Sequence, residues 1–155
     1  EYQSLICDLT GMEVSNASIY DGASASAEAV LMALRITKRT EVIVARTVHP
    51  HYREVVTTYL SGNTDVQVKE IAMGLPQTQF AGRTSLQALS DQISEKTACV
   101  LIQHPNFFGQ LEEVELIAAL AHGHGGLLVM IVDPISLGIL KTPGWGRFGI
   151  CGSFG

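Results

Sequence analysis

Tyr20-Asp21-Gly22-Ala23-Ser24-Ala25-Ser26-Ala27-Glu28-Ala29 is a polar, small-residue turn that runs straight into a helix. From Ala27 the apolar positions fall at Ala27, Val30, Leu31 and Leu34, the spacing of one helical face. Asp21, Gly22, Ser24 and Ser26 stand upstream, residue types that accept from, or leave open, the unpaired N–H groups of a first turn. Such an end carries partial positive charge and free donors, and can hold a phosphate or a carboxylate. Tyr20 could present its ring over a ligand there. An ordinary capped helix buried in a domain is the alternative. The rest of the chain weighs between the two.

The 155 residues correspond to one domain, and 46% hydrophobic against 16% charged residues is enough for a core covered on two sides. The low charge fraction also points to surface covered by something else. A net charge of −5 with no Lys/Arg run gives no footprint for nucleic acid or an anionic membrane. No apolar run reaches the ~20 residues of a membrane span, and no signal peptide is visible. Cys7, Cys99 and Cys151 are odd in number, widely spaced and set among apolar residues, as reduced thiols of a cytoplasmic or similar compartment would be. The sequence begins at Glu1 inside a helical pattern and ends at Gly155 in a Gly-rich segment without a closing element. It reads as part of one larger domain, with site residues possible outside it.

Taken in order, Tyr2 to Leu9 is an amphipathic turn or two ended by Gly11, and Met12 to Ile19 reads as a short connecting strand. The organising helix continues to about Arg39. Strands are expected at Glu41–Ala45, at Val66–Ile71 nearer an edge, at Ala98–Ile102 and at Leu127–Val132. Helices are expected after His49-Pro50, from the capping-box pattern Thr84-Ser85-Leu86-Gln87 through Leu89 and Ile93, and through Val114, Ile117, Ala118 and Ala121. Gly74–Gly82 reads as a loop. Alternating helices and continuous apolar strands describe an α/β domain, a mainly parallel sheet with helices on both faces. Ligands of such sheets collect past the carboxyl ends of the strands. Asp21–Ser26, His104–Gly109 and Asp133–Ser136 should therefore share one rim.

Neither GxGxxG nor a Walker lysine loop is present. His122-Gly123-His124 lacks a carboxylate or Cys partner and reads as a helix end rather than a metal site, and His49 and His51 lack zinc-helix spacing. Asp133 ends the most apolar strand, where a carboxylate is costly without a partner. It either caps the Pro134-Ile135-Ser136 turn or faces a cationic ring nitrogen, as in pyridoxal-phosphate enzymes. Asn106, in a loop with Phe107 and Phe108 exposed, is either a turn residue or a donor to a ligand oxygen. A helix end for phosphate, an Asp for a ring nitrogen and an Asn loop form the layout of a pyridoxal-phosphate site. The lysine for the Schiff base is missing: Trp145–Gly155 has none, and Lys141 follows Asp133 too soon to reach back across the site.

Tyr2-Gln3-Ser4-Leu5-Ile6-Cys7-Asp8-Leu9-Thr10-Gly11-Met12-Glu13-Val14 and Asn16-Ala17-Ser18-Ile19-Tyr20-Asp21-Gly22-Ala23-Ser24-Ala25 resemble the glycine dehydrogenase (decarboxylating) P-protein family. So do His49-Pro50 with Tyr52-Arg53, Pro105-Asn106-Phe107-Phe108-Gly109 and Asp133-Pro134-Ile135-Ser136-Leu137-Gly138, in the right order over nearly the whole chain. The likeness is greatest to the family's subunit 1, its N-terminal half. Gly146–Gly155 departs from the family's usual acidic, Gly-rich wording after Pro143-Gly144.

The resemblance implies the large domain of a type I pyridoxal-phosphate (aminotransferase-like) fold. It implies glycine decarboxylation with transfer of the aminomethyl group to the lipoyl arm of H-protein. In the two-subunit form, subunit 2 supplies the lysine that binds pyridoxal phosphate, and subunit 1 keeps the fold and shapes the entrance. By the same resemblance Ser24, Asn106 and Asp133 match the places that bind phosphate, ring oxygen and ring nitrogen, as working ligands or as vestiges, and Tyr20 stands at the substrate or interface side. Two other readings stay open: a self-sufficient pyridoxal-phosphate enzyme whose lysine lies beyond Gly155, and a scaffold that only binds other glycine-cleavage proteins.

Overall fold

A computed structural model describes residues 1–77, 81–144 and 149–153, the last segment by its backbone alone. Its elements are α1 (Tyr2–Thr10), α2 (Gly22–Thr37), β1 (Glu41–Ala45), α3 (Pro50–Leu60), β2 (Gln67–Ile71), α4 (Leu86–Gln92), β3 (Thr97–His104), α5 (Val114–Gly123), β4 (Leu127–Val132), a 3-10 turn (Pro134–Gly138) and β5 (Gly149–Ser153). The strands form one five-stranded sheet in the order β2-β1-β3-β4-β5, every pair parallel.

Continuous apolar runs become strands buried on both faces, because parallel crossovers lay helices over each side. All five residues of β1 are buried, as are the first six of β3 and the last five of β4. Helices α2 and α3 pack together and α2 lies against β3, β4 and β5, while α4 and α5 pack together against β2, β3 and β4. The core joins Val30, Ala33, Ile43, Leu101, Ile117, Leu128 and Ile131 in one cluster. The edge strand β2 shows only Ile71 fully buried, as its mixed sequence requires. Cys99, wholly buried in β3, is a free thiol whose pKa burial pushes up to about 12. Cys7 is also free, and the side chain of Cys151 lies outside the described residues.

The expected α/β architecture, with helices on both faces, is the observed one. Four local expectations are corrected. Met12–Ile19 is not a strand: the Asn16 side chain takes the Ser18 N–H at 2.9 Å, a local turn that competes with extended pairing. Helix α2 stops at Thr37, two residues early, because Lys38 turns left-handed at φ 58°. The cap of α4 is Ser85 rather than Thr84, whose hydroxyl instead meets that of Thr47 at 3.0 Å; Ile93 lies past the helix in extended backbone. A fifth strand, β5, occupies the stretch expected to lack a closing element. Gly11 ends α1 at φ 69°, as expected. Among the described residues no helix is long and apolar enough to cross a membrane.

Candidate functional site

The chain winds from β1 outward to β2, returns across β1 to β3, and then proceeds the other way through β4 to β5. That reversal puts a topological switch point between the carboxyl ends of β1 and β3, where open α/β sheets bind ligands. The crevice is built over by residues of both strands' following loops. His49 N–H donates to Gln103 Oε1 at 2.9 Å, and Phe107 N–H donates to Thr47 O at 2.9 Å. The His49 ring meets Phe107 edge-on at 4.8 Å and lies 5.2 Å from Tyr52 and 5.3 Å from His51. Its Nδ1 accepts the His51 N–H, so His49 caps the helix it precedes, with Pro50 at the first helical position.

Helix α2 brings its N-terminus to the same rim. Arg39, just past its C-terminal end, donates to Thr97 O at 3.0 Å and His124 O at 2.6 Å, fixing that end at the amino side of the sheet. Sixteen residues then reach about 24 Å, beyond the length of the strands. Tyr52, at the start of α3, lies within electrostatic reach of Asp21: burial and then the Asp21 charge raise its hydroxyl pKa. The segments around Asp21, Asn106 and Asp133 therefore share the carboxyl rim, the first without a strand ahead of it.

Ser24 and Asp133 are used locally, in capping their own turns. The Asp21 carboxylate accepts Ser24 N–H at 2.8 Å and Ser24 Oγ–H at 3.2 Å, and these bonds, the backbone one foremost, lower its pKa. Asn106, 4% exposed, has its amide enclosed by Gly82, Phe108, Gln110 and Glu112. Asp133 is exposed rather than buried, because β4 ends at Val132; its carboxylate accepts Ile135 N–H at 3.0 Å and caps the 3-10 turn. Tyr20 is 97% exposed, and Phe107 and Phe108 are half exposed as expected. Among the described residues no hydrogen bond links Ser24, Asn106 and Asp133 to one another. His122 and His124 close α5, where His124 Nδ1 lies 3.0 Å from Leu120 O.

Two participants escaped the sequence reading. Gln103, just past the expected Ala98–Ile102 strand, belongs to β3, and its side chain crosses to β1's loop. Glu112 looks like one of two solvated acids but is 6% exposed, and its backbone N–H donates to His104 Nδ1 at 3.1 Å. Burial lowers the His104 pKa, against the Glu112 carboxylate, which raises it. No local sequence signal marks either residue, since both partners come from elsewhere in the chain.

Among the described residues there is no vacant cradle for pyridoxal phosphate: donors at α2 already serve Asp21 and the Asn106 amide is saturated. Three of the four lysines lie away from the rim, and Lys141 stands at its α5 side. Lys69 pairs with Glu41 at 2.8 Å and Lys141 with Glu115 at 2.7 Å; Lys38 and Lys96 sit at the amino side of the sheet.

A sequence model of the glycine cleavage system P-protein matches residues 1–152. A probable glycine dehydrogenase (decarboxylating) subunit 1 of Carboxydothermus hydrogenoformans is 54% identical over 143 residues, 92% of this chain and 31% of that protein. Its namesake in Desulforamulus reducens is 54% identical over 144 residues, 93% of this chain and 31% of that protein. The chain thus spans about a third of the length of the curated relatives it matches. Among solved structures, an inhibitor-bound glycine decarboxylase (P-protein) of the glycine cleavage system superposes with a TM-score of 0.88 at 41% identity, covering 99% of this chain and 32% of that one. An aromatic amino acid aminotransferase, 10% identical, superposes with a TM-score of 0.71 over 99% of this chain and 42% of its own, which shows the shared aminotransferase-like fold. The chain belongs to the glycine cleavage system P-protein family.

Proposed function

We propose that this chain is part of subunit 1 of a heteromeric glycine decarboxylase, which removes the glycine carboxylate and passes the aminomethyl group to the lipoyl arm of H-protein. The lysine that binds pyridoxal phosphate belongs to the partner, subunit 2, and the cofactor's electron-sink chemistry acts there. Ser24, Asn106 and Asp133 are vestiges of a cofactor frame, kept in structural hydrogen bonds, and Tyr20 faces substrate or the subunit interface. One observation supports the reading: the Asp21 carboxylate of the chain itself fills the first turn of α2, where a cofactor phosphate would need donors. The buried Cys99 thiol suits a reducing, cytoplasmic compartment.

The test is exchange of the glycine carboxyl group with labelled bicarbonate, using full-length subunit 1, subunit 2 and H-protein. Exchange is expected only when both subunits are present. Exchange by subunit 1 and H-protein without subunit 2 contradicts the assignment and favours a self-sufficient enzyme. Full exchange without subunit 1 reduces this chain to a scaffold.

A further inference from the structure

The loop from His104 to Glu112 is held from inside. Asn106 Nδ2 donates to Gly82 O and to Glu112 Oε1, each at 2.8 Å, and its Oδ1 accepts Phe108 N–H at 3.0 Å and Gln110 N–H at 3.1 Å. All four hydrogen-bonding positions of the amide are thereby filled. The other Glu112 oxygen accepts Thr84 N–H at 2.8 Å. Among the described residues no cation pairs with this carboxylate; the neighbouring Arg83 goes to Glu113 at 2.6 Å. A buried carboxylate held by two neutral donors is a poor way to gain stability compared with an apolar side chain. Its return is geometric. Thr84 Oγ meets Thr47 Oγ at 3.0 Å, and Thr47 O accepts the Phe107 N–H at 2.9 Å, so the bonds close a ring through three segments. That ring fixes Phe107 against His49 and Phe108 edge-on to Phe107 at 5.4 Å, both rings half exposed over the switch point.

We infer that Asn106 and Glu112 are positioning residues: their buried amide–carboxylate bridge sets the Phe107–Phe108 edge of the rim, and through those rings it serves the glycine reaction. The kinetic half of this inference rests on the function proposed above; the bridge itself does not.

Amide hydrogen exchange at Phe108 and Gln110, with kcat and KM of the glycine–bicarbonate exchange, is measured on the complex of full-length subunits and H-protein. Glu112→Gln sets an amide against two donors, and Asn106→Asp sets two carboxylates face to face. The double variant restores a donor–acceptor pair across the bridge in reversed order and leaves only the Gly82 carbonyl without its donor. Each single variant is expected to raise both amide exchange rates and lower kcat/KM by about tenfold, the loss of one buried bridge. The double variant, which still lacks the Gly82 bond, is expected to recover part of both, above Asn106→Asp alone. A double variant no better than Asn106→Asp overturns the bridge. Faster amide exchange with unchanged kcat and KM overturns the role in the reaction. An unmodified complex inert toward glycine fails the functional reading, and the amide exchange still decides the bridge. If a single variant does not fold, Phe108→Ala removes one exposed ring without touching the bridge, and an unchanged kcat/KM then overturns the role of the rings.

Discussion

The Asp21 carboxylate accepts the Ser24 N–H at 2.8 Å and the Ser24 hydroxyl at 3.2 Å, so an anion of the chain itself closes the first turn of α2. A second anion at that turn would meet a carboxylate where it needs donors. The Ser24 N–H and hydroxyl thus already have a partner.

Removing that carboxylate is expected to open the turn. Asp21→Ala loses a side-chain cap and melts earlier than the parent chain. Inorganic phosphate is expected to recover part of the difference in the variant and to leave the parent unmoved. A parent chain stabilised by phosphate as strongly as the variant would show that Asp21 does not occupy the site.

Glu41 sets part of the acid limit of stability. The Lys69 hydrogen bond lowers its pKa from 4.5, against desolvation. A depressed folded-state pKa means that its stabilisation is complete above the unfolded-state value and is lost as pH falls through the folded one. Urea midpoints measured from pH 7 down to 3 are expected to fall less steeply in Glu41→Gln than in the parent. Identical slopes would remove Glu41 from the acid transition.

Gly144 is required where it stands. Its N–H donates to Thr10 O at 2.9 Å, and a Cβ there would run into the Gly11 backbone. Gly144→Ala is expected to cost about 1–3 kcal/mol or to release α1 locally, read as faster hydrogen exchange confined to Tyr2–Thr10. Unchanged protection of α1 would contradict the packing.

The core and the rim should respond differently. Leu101, wholly buried in β3, is expected to cost about 3–4 kcal/mol as Leu101→Ala. Ile135, 87% exposed, should change stability by less than about 0.5 kcal/mol as Ile135→Ser. Chemical denaturation of both variants measures the contrast, and comparable losses would contradict the observed layers.

The central strands were legible because burial on both faces demands unbroken apolar runs, as in Val42–Ala45 and Leu128–Val132. Helix α2 was legible from its cap and its spacing. β5 was not: Gly149-Ile150-Cys151-Gly152-Ser153 carries little apolar or β-branched signal, and its pairing with β4 is set by the sheet's free edge. The rim was half legible. Asp21, Asn106 and Asp133 stood out by residue type and position, but their partners did not. Asn106 is bonded to Gly82 and Glu112, contacts between loops that no local periodicity encodes. Asp133 illustrates the same limit: the apolar strand ahead of it predicts burial, whereas the chain turns just past the carboxyl end of β4 and leaves the carboxylate exposed.

The most direct test of a cofactor lysine outside this chain is borohydride reduction with pyridoxal phosphate, followed by mass mapping of the labelled lysine. Full-length subunit 1 is treated alone and mixed with subunit 2. The expected result is a label on subunit 2 only, with none of Lys38, Lys69, Lys96 or Lys141 modified. A label on a lysine of this subunit would contradict the account and make Ser24 and Asp133 ligands of a working cofactor.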